Sequence, residues 1–84
     1  MGKLIKIYLD IENTETGTIE TGIVLGEYKT PDSAGKKFEE KFESLRGLFK
    51  KTSVNCRLDL ARGGKVILTK TIGNFGETAE ERED

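Results

Sequence analysis

The segment from Thr30 to Lys51, TPDSAGKKFEEKFESLRGLFKK, decides the fold. It is the one convincing amphipathic helix in the chain. Apolar side chains stand at Ala34, Phe38, Phe42, Leu45 and Phe49, in steps of four, four, three and four. That spacing places all five on a stripe about 100° wide. Lys36, Glu40 and Glu43 fall on the other side, toward water. Pro31 suits the first helical position, where a missing N–H costs nothing. Thr30 then reads as the N-cap, its hydroxyl accepting from Ser33 N–H. Asp32 and the Lys50–Lys51 pair complement the two ends of the helix dipole. Gly47 offers a stopping point with a left-handed cap. Phe49 lies on the stripe, however, and favours continuation to about Lys50.

Outward from this helix the pattern changes period. Lys3 to Ile11, KLIKIYLDI, alternates strictly: Ile5, Ile7, Leu9 and Ile11 point one way, Lys6, Tyr8 and Asp10 the other. This is a half-buried strand. Glu12 to Gly17 is polar and turn-like. A second strand runs from Thr18 to about Tyr28, with Ile19, Thr21, Ile23 and Leu25 on one face. Gly22, Val24, Gly26 and Tyr28 fall on the other, and interior glycines mark a bulge or a close approach. Beyond the helix, Thr52 to Arg62 reads as a third strand, with Val54, Cys56, Leu58 and Leu60 opposite Asn55, Arg57 and Asp59. Gly63-Gly64 is a turn, and Lys65 to Ile72 is the fourth strand. A three-residue loop, Arg62 to Gly64, would pair Leu60 with Val66, Leu58 with Leu68 and Val54 with Ile72. It brings the apolar sets together, whereas a two-residue loop pairs Leu60 with Ile67, so the longer loop is expected.

The order strand–strand–helix–strand–strand implies an α+β domain, ββαββ. A four-stranded, mostly antiparallel sheet would carry the helix on one face. The expected core is Ile5, Ile7, Leu9, Ile23, Leu25, Phe38, Phe42, Leu45, Phe49, Val54, Leu58, Leu60 and Leu68. Residues 1–73 form this single domain. Residues 74–84 read as an acidic, flexible tail without an apolar pattern.

Eighty-four residues make one small domain with a thin margin of burial. Cys56 is the only cysteine, so no disulfide framework is available. A lone thiol without a secretory signal fits a reducing, cytoplasmic setting. No apolar run approaches the length of a membrane span. The formal charge of −1 divides unevenly: Glu77–Asp84 holds five acids and one arginine, and the rest holds thirteen basic and ten acidic residues. A mildly basic body with an acidic tail results.

Chemistry-bearing motifs are few. The chain has no histidine, which removes the Ser–His and Cys–His nucleophile pairs. Ala34–Lys37, AGKK, lacks the first glycine and the Ser or Thr of a phosphate-binding loop. Asp10, Glu12, Asn13 and Glu15 lack the order of a calcium loop and read as a solvated turn. Cys56 reads as a small apolar core side chain, with Arg57 on the opposite sheet face. The expectations are therefore no enzyme, no metal, no cofactor and no small-molecule substrate.

One helix covers one sheet face. The other face would present Tyr8, Val24, Tyr28, Arg57 and Ile67, residue types enriched at interaction hot spots. The leading expectation is an interaction module that binds a protein partner, or itself as a homo-oligomer, through this bare face or a strand edge. A small accessory or inhibitory factor, such as viruses encode, fits the size. The alternative is a nucleic-acid binder using Arg57, Arg62, Lys65 and Lys70, with Tyr8 and Tyr28 stacking on bases.

Overall fold

A computed structural model describes residues 4–75. Its elements are β1 (Ile5–Asn13), β2 (Thr18–Tyr28), α1 (Pro31–Phe49), β3 (Val54–Arg62) and β4 (Lys65–Ile72). The sheet order is β2-β1-β3-β4, and each neighbouring pair is antiparallel. The fold is thus α+β with the order ββαββ. Since β1 runs against both its neighbours, β2 and β3 are parallel to each other. α1 is the crossover between them and passes over β1.

The helix begins and ends as its sequence dictates. Thr30 is extended (φ −121°, ψ 147°) and its Oγ1 accepts from Ser33 N at 3.3 Å. Pro31 and Asp32 follow in the first turn. Gly47 is helical and exposed, and the helix runs through Phe49. Thr52 then closes the end, with both its N–H (3.1 Å) and its hydroxyl (2.7 Å) donating to Phe49 O. These bonds satisfy a carbonyl that has no partner inside the helix.

The core lies between α1 and the middle of the sheet. Ile5, Ile7 and Leu9 of β1, Cys56, Leu58 and Leu60 of β3, and Ala34 and Phe38 of α1 are buried. Ile11, Ile23, Leu25, Tyr28, Phe42, Leu45, Phe49 and Ile72 pack around them, partly buried. One helix is narrower than four strands, so the expected core thins toward the edges. Val54 is half-buried, and Leu68 on β4 is 40% exposed.

The β1–β3 register is unbroken over nine pairs, from Ile5–Arg62 to Asn13–Val54. The edge strands are irregular, and this corrects three expectations. First, the β3–β4 turn is the two-residue one: Arg62 pairs with Lys65, and Gly63 (φ 57°) and Gly64 (φ 84°) are both left-handed. Two positive φ values match a type I′ turn, whose twist suits the flanking strands. A bulge at Ile67 then restores the apolar register, so that Leu60 pairs with Leu68 and Cys56 with Ile72. Second, Leu25 bulges out between the Ile7–Gly26 and Tyr8–Val24 pairs. One extra residue reverses the face of everything beyond it. Tyr28 therefore pairs with Ile5 and packs on the helix side, not on the bare face. Gly26 moves with it. A Cβ at Gly26 would come 2.9 Å from Tyr28 Cε2, so the missing side chain admits the ring. Third, a shift between Leu9 and Ile11 centres on Gly22 (φ 71°) and turns Ile19 away from the helix side, opposite Glu12.

Candidate functional site

The sheet face away from α1 is where the sequence placed an open apolar patch. Its centre is instead a buried ionic cluster. Asp10 and Arg57 are directly opposed on β1 and β3, and Tyr8 faces Asp59 one step along. Arg57 Nη2 donates to Asp10 Oδ2 in a close, charge-assisted contact. Arg57 Nε stands 3.5 Å from Asp59 Oδ2. Asp59 Oδ1 accepts from Thr69 Oγ1 of β4 at 2.7 Å. Asp10 Oδ1 accepts from the Gly22 backbone N–H of β2 at 2.9 Å. That donor is turned inward by the bulge at Gly22. Four strands thus meet on two carboxylates and one guanidinium.

These groups are closed to water. Tyr8, Asp10, Arg57, Asp59 and Ala61 are 5%, 1%, 6%, 0% and 2% exposed. Phe75 lies over the cluster, its ring centroid 5.2 Å from the Arg57 guanidinium carbon. That distance suits a cation–π contact. The expected tail began at Asn74, so Phe75 is docked rather than trailing. Residues 76–84, the remainder of that tail, lie outside the described residues.

The sequence named Tyr8 and Arg57 correctly as residues of this face but not as buried. Val24 pairs with Tyr8 and is 47% exposed, Ile67 sits in the β4 bulge and is 58% exposed, and Tyr28 is on the other side. The five do not form one patch. Of the two partners that organise the face, the sequence shows Asp59 only as an outward-facing residue, and Asp10 also as part of a solvated turn. Asp10 is instead inside β1 and buried, because Arg57 and the Gly22 N–H enclose its carboxylate. The signal was available: alternation puts two acids and one arginine on the same faces of two strands. It becomes a cluster only once β1 is known to lie beside β3.

The four cations of the nucleic-acid set are also divided. Arg57 is buried in the ion cluster. Lys70 is on the helix side, where its Nζ donates to Glu39 Oε2 at 2.7 Å and stands 5.0 Å from the Phe42 ring centroid. Arg62 and Lys65 flank the glycine turn and are exposed.

No family model, curated protein or solved structure matches this chain. The remaining features are read on their own. Cys56 is buried on the helix side between Ile11 and Ile72, and burial pushes its thiol above the ordinary value. Such a thiol is a poor nucleophile near neutral pH. Among the described residues, no group of three or more His, Cys, Asp or Glu is placed to hold a metal ion. None of the described helices is long and apolar enough to cross a membrane. A shallow groove of about 400 Å³ runs between α1 and β2, lined by Leu25, Lys37, Lys41 and Leu45 among others.

The two sheet edges differ. β2 is broken by two bulges, and one of its backbone donors is spent on Asp10. β4 carries one bulge, next to its turn, and pairs regularly with β3 from Leu68 to Ile72. No described strand lies beyond it. Ile67 and Leu68, adjacent on this edge, are 58% and 40% exposed.

Proposed function

We propose that the chain is a non-enzymatic interaction module that binds a protein partner, or a second copy of itself, along the outer edge of β4. The observation that carries this reading is the adjacent exposure of Ile67 and Leu68 on an edge that is regular for its last five residues. An unpaired strand edge presents a row of N–H and C=O groups that an incoming extended segment can complete. Neighbouring aliphatic side chains supply the apolar contact that such pairing lacks. β2 is a weaker candidate, because bulges twist an edge away from further pairing. The ion cluster, with both carboxylates held by donors and shut off from water, serves to fix the sheet. An acid kept for proton transfer needs access to its substrate.

The test is a photo-crosslinking amino acid placed at Ile67 in the full chain, with Glu40 on the outer side of α1 as the control position. The expected result is a discrete crosslinked product from Ile67 alone, whose mass tells a second copy from another protein. Leu68→Lys should remove it while the circular dichroism spectrum is unchanged. No product from Ile67, or the same products from both positions, would overturn the reading.

A further inference from the structure

We propose that the C-terminal end of α1 binds nucleic acid: Arg46, Lys50 and Lys51 hold the phosphate backbone across the bare stretch of helix at Gly47. Two residues at this end are not what the fold calls for. Gly47 lies inside the helix and is exposed, and a Cβ there would meet nothing within 4 Å. Glycine weakens a helix interior relative to alanine, and here no neighbour requires it. Lys51 is the one non-glycine residue with a left-handed backbone (φ 65°) among those described. That position, just past a helix, suits glycine or asparagine. The chain keeps a lysine there instead, at a cost in strain. Local choices that oppose the fold gather at functional sites, and these two stand about one turn apart.

Together they shape a cationic groove. The missing side chain at Gly47 leaves an open space of about 420 Å³, lined by Glu43, Arg46, Gly47 and Lys50. Arg46 and Lys50 are four residues apart, so they rise from neighbouring turns of one flank, about 6 Å apart. Lys51 follows directly and adds a third cation. All three are exposed, and neither lysine is in an ion pair among the described residues. Arg46 Nη2 is 2.6 Å from Glu43 Oε2, with both side chains more than half exposed. Such a surface pair is weak enough for a phosphate to displace. The helix dipole favours cations at this end, which accounts for the charge but for neither the glycine nor the left-handed lysine.

The lining selects the occupant. No apolar side chain borders the groove, so a protein partner would find no anchor there. Leu48 is 67% exposed, but it stands about 200° round the helix from Arg46. A lipid surface could not meet that leucine and the cations together. A phosphate backbone needs no apolar contact, because charge supplies its affinity. Arginine takes a phosphate with two parallel N–H groups. Gly47 lets the sugar between two phosphates approach the helix closely. None of these residues belongs to the β4 edge, and a nucleic acid here leaves that edge free.

The experiment titrates the full chain into a fluorescein-labelled thymidylate oligonucleotide and follows anisotropy at low salt. Binding should saturate, and should weaken about fifteenfold between about 50 and 200 mM salt, the slope of three phosphate contacts. Lys51→Gly should raise the urea midpoint by relieving the left-handed lysine, and weaken binding severalfold. Gly47→Gln changes no charge, fills the groove with a better helix former, and should act in the same two directions. Arg62→Gln with Lys65→Gln, at the glycine turn, should leave binding unchanged. The proposal is overturned by no binding, by binding that survives Lys51→Gly or Gly47→Gln, or by an equal loss from the turn variant. Preference for phosphatidylserine vesicles over the oligonucleotide would also overturn it.

Discussion

Asp10 is the side chain on which most depends. It joins β1 to β3 through Arg57 and to β2 through Gly22 N–H, within a cluster that is all but closed to water. Removing one partner of a buried ion pair leaves the other charged and desolvated. Asp10→Ala should therefore cost about 3–5 kcal/mol in urea unfolding. Thr69→Val removes only a hydroxyl donor from Asp59 and should cost about 1–3 kcal/mol. Equal losses would show that the cluster is not the joint described. Cys56 makes a different demand. Its thiol is raised by burial in the folded state, so the native chain holds its proton to higher pH than the unfolded chain. Below the unfolded value, about 8.5, both states are protonated and the effect on stability is nil. As pH rises through that value toward the folded one, the unfolded state loses its proton first and stability falls. Compared pH by pH with Cys56→Ala, the wild-type chain should lose more stability above about pH 8.5 and none of the difference below it. Iodoacetamide should alkylate it slowly when native and quickly in urea.

The elements were legible in the sequence to the extent that a period survives in one dimension. The helical stripe from Ala34 to Phe49 and the alternation of Ile5, Ile7 and Leu9 translate directly into buried positions. The faces of the edge strands were not legible. Alternation counts residues, and a bulge adds one without adding a step along the sheet. Three such additions, near Gly22, at Leu25 and at Ile67, moved Ile19 and Tyr28 to the opposite faces and placed Leu68 and Ile72 where a simple two-residue turn would not. Gly22 was a hint, since its left-handed φ is one that other side chains avoid. Gly26, next to the Leu25 bulge, was a second hint, and nothing comparable marks Ile67. The bulge at Ile67 has a testable corollary. Deleting Ile67 leaves Lys65 opposite Arg62 and brings Val66 directly before Leu68, so alternation alone restores every pair now seen beyond the bulge. The deletion should change stability by no more than about 1 kcal/mol. Cross-strand NOEs between Cys56 and Ile72 should persist. Deleting Thr69 instead reverses the faces of Lys70 to Ile72 and should abolish that contact.

At the scale of the whole molecule the irregularity is segregated. β1 and β3 pair without interruption, sit at the centre of the sheet and supply six of the eight buried residues of the core cluster. All three bulges fall where β2 or β4 meets this central pair. The two central strands come from the two halves of the sequence, one before α1 and one after it, so neither hairpin contains the core alone. The best-paired ladder, β1–β3, closes only when the crossover is in place. Stability should therefore be graded outward from the centre rather than along the chain. Native-state amide exchange is the measurement. Protection should be greatest in β1 and β3, from Ile7 to Asp10 and from Cys56 to Leu60, where opening requires global unfolding. Thr18 to Thr21 of β2 is exposed along its whole length and should exchange fastest of the strand segments. Phe38→Ala, at a side chain with no exposure, should cost about 3–5 kcal/mol and lower protection in both central strands together. If the first hairpin kept its protection while the second lost it, the central pair would not be a cooperative unit, and the crossover would be joining two independent halves.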